Sequence, residues 1–211
     1  MPILVGDVQL KGTTMDVLEA IEGRRSVREY TDEPVADTVL RELIDVAVQA
    51  PSAVNQQPWC FLVVKDKALL TQNSDKAKVH MLNTPLGAAE GRHRDMLSDP
   101  DFHIFYHAPV LIVISAVEAG DWAVEDCALA AENLMLAAYA AGLGTCWIGF
   151  AQHWLGTKDG KSTLGLPESY VPVAPIIVGH PRREPAPIPR KSPNIRWIEA
   201  STRPAQPSKP S

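Results

Sequence analysis

Residues 121–142, DWAVEDCALAAENLMLAAYAAG, constrain the fold more than any other stretch of this chain. Small apolar side chains almost surround the helical repeat, and Gly142 stands where a C-terminal cap belongs. Such a segment needs partners on several sides, which predicts a central helix with a buried surface. The flanking sequence supplies them. PVLIVISAV and VPVAPIIVG are short, β-branched runs that predict buried strands, and WCFLVVKD and TCWIG add two more candidates. Helix and strand patterns therefore alternate along the chain.

Two further helices are predicted. Residues 14–22 offer Thr14 as an N-cap, Met15, Leu18 and Ile21 on one face, and Gly23 just past the end. Residues 37–50 begin at Asp37 as N-cap, place Leu40, Leu43, Ile44, Ala47 and Val48 on one side, and stop at Pro51. With 211 residues, 45% of them hydrophobic, the expectation is a single domain over 1–211 with a substantial core. Between about residues 65 and 103 the composition turns polar, periodicity weakens and TPLG interrupts the chain. That pattern predicts either a lid-like region or an irregular surface excursion. From about Pro181 to residue 211 the proline-rich sequence predicts an extended arm.

Several function classes are excluded at this level. A net charge of −5 gives no general attraction for nucleic acid or anionic membrane. No signal peptide is legible at the start, and HAPVLIVISAV is too short to span a bilayer. Three scattered cysteines, Cys60, Cys127 and Cys146, fit a reducing cytoplasmic setting and offer no metal-ligand spacing. His103 and His107 lie four apart but lack the glutamate of a zinc-protease motif, so no metal is expected. Asp16, Glu19 and Glu22 are expected on a solvated helix face. Glu125 and Asp126 fall in a helix first turn, where negative charge favours the dipole.

Three stretches carry chemistry. GRRSVREY sets Arg24, Arg25 and Arg28 around Ser26 just beyond a helix; guanidinium forks with a hydroxyl suit phosphate oxygens, although a run of this kind taken alone is more often a solvated basic surface. APSAVNQQPW ends a helix at a proline, then supplies a small hydroxyl, side-chain amides and a tryptophan, a mixture suited to a flat ring with polar edges. In GLGTCWIG, Gly142 and Gly144 permit a tight exit from the long helix. Trp147 either stacks near a ring or fills the core, and Cys146 is expected as a small buried hydrophobe.

RRSVREY, APSAVNQQPWCFLVV, ALAAENLMLAAYAAGLGTCWIG and IIVGHPRREP, in that order and spacing, resemble the nitroreductase family of FMN-dependent enzymes from about Met15 to about Lys191. The resemblance implies an α+β fold with a mixed central β-sheet surrounded by helices. It also implies an obligate homodimer holding FMN at its interface. By the same resemblance, Arg24, Ser26 and Arg28 grip the flavin phosphate and the pyrimidine side of the ring, with Arg25 adjacent. Pro51, Ser52 and Asn55, with Gln57, reach the flavin of the partner subunit. A backbone N–H at Ile148 or Gly149 faces flavin N5, and Arg190, followed by Lys191, closes on the phosphate with Arg182 and Arg183 as competitors. The implied activity is ping-pong: NADH or NADPH gives hydride to N5 and leaves, and a small electron-poor acceptor such as a nitroaromatic or quinone enters the same pocket. The flavin carries the chemistry, so no side chain is implied as an obligatory acid or base. Reductive dehalogenases and flavin-cleaving oxygenases share the resemblance. A flavin-binding regulatory or storage protein with little turnover is the alternative from another class.

Overall fold

Four strands form one sheet in the order β1-β2-β4-β3, where β1 is Trp59–Val64, β2 Val110–Ala116, β3 Gly144–Trp147 and β4 Val171–Gly179. The structure is a computed structural model that describes residues 15–85 and 91–198. Every residue of β2 is buried, because consecutive side chains enter different layers. Val110, Ile112 and Ile114 pack with Leu40, Leu43 and Leu134 on one side of the sheet. Leu111 and Val113 pack with Met81, Phe105 and Leu155 on the other. A strand buried on both faces has no polar alternation, which is why it reads as a continuous apolar run.

The mixed sheet implied by the resemblance is not what the strands form. Each named pair, β1 with β2, β2 with β4 and β3 with β4, is antiparallel. The reason is topological: β4 inserts between β2 and β3, two strands that run the same way, so each has only opposed neighbours. Among the described residues, parallel pairing is confined to an isolated bridge between Ser26 and Thr145. Two prolines sit inside β4, an interior strand, where a missing N–H is normally excluded. Pro172 falls at the register shift beside Ile114 and Ser115, and Pro175 lies one residue beyond the last β3 pair.

The long apolar segment forms α5, Ala123–Ala140, and turns at Gly142, whose φ of 73° is left-handed. Buried Ala130, Ala131, Leu134 and Ala138 let it lie close to the sheet. Its other side carries exposed Val124 and Leu129, so one chain does not surround it. Helix α1 is Val17–Gly23 and helix α2 is Asp37–Ala47, and both pack against α5. Thr14 lies outside the described residues, and the N-cap of α1 is Asp16: it accepts from Leu18 N–H at 2.7 Å while Glu19 accepts from Asp16 N–H at 3.2 Å. Two of the three acids expected on a solvated face thus form a capping box. The apolar face of α1 is exposed, with Leu18 and Ile21 at 64% and 53%. Asp37 is not a cap either. It is the first residue of α2, and its carboxylate takes the Lys65 ammonium at 2.6 Å.

The polar stretch is helical, with α3 at Lys67–Leu82 and α4 at Arg92–Ser98. Its pattern was hard to recognise because polar residues occupy buried positions of α3. Asn73, Ser74 and Lys78 are all buried. Each finds an internal partner, as burial requires. Asn73 Oδ1 accepts from Trp154 Nε1 at 3.1 Å, and Ser74 Oγ from Ile104 N–H at 3.0 Å. Lys78 Nζ donates to the carbonyls of Asp99, Pro100 and Phe102 at 3.1, 3.3 and 2.8 Å. Helix α3 packs on α6, Gly149–Leu155, which is followed by α7, Lys158–Thr163. Beyond β4 the chain has neither helix nor strand through residue 198, apart from an isolated bridge between Pro181 and Tyr30.

Candidate functional site

The segment after α1 runs along the open edge of the sheet. Val27 N–H donates to Thr145 O at 2.9 Å beside the Ser26–Thr145 bridge, and Thr31 N–H donates to His180 O at 2.9 Å. Tyr30, buried, fixes the turn by donating its hydroxyl to Val27 O at 2.8 Å. Burial pushes its phenol well above the ordinary range. The approach to β3 needs glycine: a Cβ on Gly144 would lie 2.7 Å from the Val27 side chain. Sequence reasoning gave Gly144 a turn, whereas its decisive role is this close contact.

Two cavities flank the contact. The first, about 200 Å³, is lined by Arg24, Arg25, Tyr139, Thr145 and, from the tail, Arg183. Two buried guanidinium nitrogens there, Arg24 Nε and Arg25 Nε, have no hydrogen-bond partner. Arg24 Nε does lie 3.5 Å from Glu132 Oε1, an ion pair outside hydrogen-bonding geometry. Arg25 Nη1 is occupied by the carbonyls of Glu22 at 2.5 Å and Arg24 at 2.7 Å. The second cavity, about 380 Å³, is lined by Arg28, Tyr106, Trp147, Ile148, Gly149 and Phe150, among others. Its character is aromatic with one cation, since the Arg28 guanidinium stands 5.9 Å from the centre of the Tyr106 ring. Burial raises the Tyr106 phenol and the Cys146 thiol, each against the opposing pull of Arg28.

The predicted residues divide into two groups. Arg24, Arg25, Ser26, Arg28, Trp147, Ile148 and Gly149 converge at this edge. Trp147 does both things expected of it, packing on the core and lining the second cavity. Ile148 N–H is taken by Pro175 O at 2.8 Å, whereas Gly149 opens α6, where N–H groups lack intrahelical acceptors. Pro51, Ser52, Asn55 and Gln57 line neither cavity of their own chain. They belong to a turn around Ala53–Asn55 in which Gln57 N–H donates to Ser52 Oγ at 2.9 Å. Arg190 is exposed on the tail and lines neither cavity. Arg182 donates to Tyr30 O at 2.9 Å, and Arg183 pairs with Glu29 at the rim. Tyr106, Phe150 and Met81 were missed as lining residues. Apolar side chains without distinctive spacing give no signal of that kind.

The fold is that of an α+β protein, with one cavity at the sheet edge lined by Arg24, Arg25 and Arg183 together with Glu184, and another lined by aromatic residues and Arg28. The Nitroreductase family model matches residues 21–180, and the chain belongs to that family. It is 34% identical over 180 residues to a protein of Methanothermobacter thermautotrophicus whose name, an NADH dehydrogenase/NAD(P)H nitroreductase, is provisional; 83% of this chain and 82% of that one are covered. It is 28% identical to an FMN reductase [NAD(P)H] of Bacillus subtilis, over 83% of this chain and 70% of that one. The solved structure of a Bacteroides fragilis nitroreductase with bound FMN superposes with a TM-score of 0.74 at 27% identity, covering 88% of this chain and all of that one.

Proposed function

We propose that this protein is an FMN-dependent oxidoreductase that takes hydride from NADH or NADPH and passes it to a small electron-poor acceptor, such as a nitroaromatic or a quinone. The observation that carries the reading is membership of the family together with three arginines, Arg24, Arg25 and Arg183, on one cavity and Arg28 among aromatic side chains on the next. Guanidinium groups that line a cavity suit an anionic ligand. FMN fits this donor set, and when bound it supplies hydride transfer at the ring nitrogen N5.

The chain's own residues then have defined tasks. Arg24, Arg25 and Ser26 hold the phosphate, with Arg183 the tail cation at that cavity. Arg28 stands on the ring side, where a cation favours the negative charge of the reduced ring. Gly149 keeps one wall open: a Cβ there would meet nothing within 4 Å. Its N–H, rather than that of Ile148, is available toward the ring. Proton delivery falls to solvent, because burial makes the nearby Cys146 thiol and Tyr106 phenol weaker acids than usual.

The functional unit is a homodimer. Within one chain, Val17, Leu18 and Ile21 of α1, Val46 of α2 and Val124 and Leu129 of α5 are exposed. Helices α1 and α2 each pack on α5, and their exposed apolar side chains suit burial against a second copy. Pro51, Ser52, Asn55 and Gln57 reach the flavin of that copy. Helices α3 and α4 serve as the lid region, and the arm beyond residue 181 extends over the partner. Among the described residues no helix is long and apolar enough to cross a membrane. A cytoplasmic setting suits three free cysteines. Steady-state kinetics with varied NADH and quinone test the reaction. The reading requires parallel double-reciprocal lines; intersecting lines contradict a shared pocket.

A further inference from the structure

The turn after α2 is strained and is held from outside itself. Val54, Asn55 and Gln57 adopt φ of 44°, 57° and 50°, and none is glycine. Asparagine tolerates left-handed backbone; a β-branched valine does not. The Val54 side chain gains no burial in return, being 90% exposed. Inside the turn the hydrogen bonds are local, with Asn55 N–H to Ser52 O and Gln56 N–H to Ala53 O, both at 3.0 Å. Among the described residues, one hydrogen bond ties the turn to the body of the protein. Ala53 N–H donates to Asp126 Oδ1 at 2.9 Å, across 73 residues of sequence.

Asp126 is an odd choice for packing alone. It is 3% exposed on a face of α5 otherwise built from Ala, Cys, Leu and Met, and its Oδ2 is buried without a hydrogen-bond partner. The sequence-based role, a favourable charge near a helix start, does not require burial. Holding Ala53 does. We propose that Asp126 is a positioning residue for cofactor binding: by clamping the Ala53 N–H it fixes the strained turn that presents Ser52, Asn55 and Gln57 to the flavin of the partner chain. This rests on the FMN and dimer reading above.

The test compares the full-length protein with Asp126→Ala, Asp126→Asn and Ala53→Pro. Asn keeps an acceptor oxygen for Ala53. Proline removes the donor and sets its ring Cδ where the N–H pointed, driving the Asp126 carboxylate out of the clamp; Ser52 already has the extended backbone that a following proline prefers, at φ −136° and ψ 153°. Three quantities are read for each: thermal midpoint, FMN dissociation constant by fluorescence quenching, and deuterium exchange of the Ala53 amide where that residue is retained. Asp126→Ala and Ala53→Pro should weaken FMN binding about tenfold or more, with the Ala53 amide exchanging faster in Asp126→Ala, while Asp126→Asn stays within about threefold of the parent. If Asp126→Ala does not fold, Ala53→Pro, which breaks the same bond from the side of the turn, carries the test. FMN affinity unchanged in either disruptive variant overturns the proposal, as does Asp126→Asn failing as badly as Asp126→Ala. A parent protein that takes up no FMN defeats the cofactor reading instead, and Ala53 exchange still reports whether the clamp exists.

Discussion

Replacing Gly144 by alanine tests how the site is built. The new methyl would stand 2.7 Å from both Cβ and Cγ2 of Val27 and 2.8 Å from Cγ1. Carbon atoms in contact prefer about 3.5–4.0 Å, so roughly 1 Å must be found. A rotamer change cannot provide it, because Cβ itself is in conflict. The backbone of Val27 has to move, and it is tied to Thr145 by a 2.9 Å hydrogen bond. Overpacking of this kind costs about 1–3 kcal/mol. For a chain of this size that lowers the thermal midpoint by about 2–4 °C per kcal/mol. Ser26 and Arg28 flank Val27, so FMN affinity falls as well. Gly149→Ala is the matched control: open space surrounds that Cβ position, and alanine favours the helix that Gly149 begins. Its thermal midpoint should hold or rise while FMN binding weakens, since the methyl enters the cavity. Differential scanning calorimetry of the apo-proteins and fluorescence titration with FMN measure the two effects. A Gly144→Ala midpoint indistinguishable from the parent's refutes the close-contact argument.

Arg24→Ala should remove a charge-assisted bond to phosphate, about 1.5–3 kcal/mol, and weaken FMN binding by roughly 10- to 150-fold in the same titration. An unchanged dissociation constant would remove Arg24 from the phosphate site. Arg28→Ala should instead make the bound flavin harder to reduce, read as a lower midpoint potential, and an unaltered potential contradicts the ring-side role. His103 predicts a pH dependence of stability. Burial first, and His107 second, hold its imidazole down at about 4, against an ordinary 6.5. Above the ordinary value it is neutral in both states. As pH falls from there toward 4, the unfolded chain takes up the proton first, so stability is lost across that window. His103→Gln should flatten the decline in urea midpoints between about pH 6.5 and 4.5, and parallel curves for the two proteins exclude the assignment.

The parts legible in the sequence are those whose physics is local. Strands β1 to β4 were recognisable as short apolar runs, and α5 by its small residues and the glycine that ends it. Strand direction was not recognisable, because it depends on β4 inserting between β2 and β3. Helix α3 was obscured by Asn73, Ser74 and Lys78, whose partners lie 81, 30 and 21 to 24 residues away. The cap of α1 was placed at Thr14 although Asp16 and Glu19 had the spacing of a reciprocal pair. At the site, arginines and glycines stood out as residue types, and four of the family's motifs did the rest. For Asp126 the sequence supports only a dipole role in the first turn of α5, because nothing near it in sequence announces Ala53. Tyr106 and Phe150 gave no sign, being aromatic residues in a chain that needs aromatics for its core.

The most direct test of the central claim is the visible spectrum of the protein loaded with FMN, recorded without oxygen before and after stoichiometric NADH or NADPH. The account predicts that the protein retains the flavin through gel filtration, that the yellow colour bleaches on adding the nicotinamide, and that a quinone restores it. A protein that retains no flavin, or whose bound flavin stays oxidised with both nicotinamides, would contradict it.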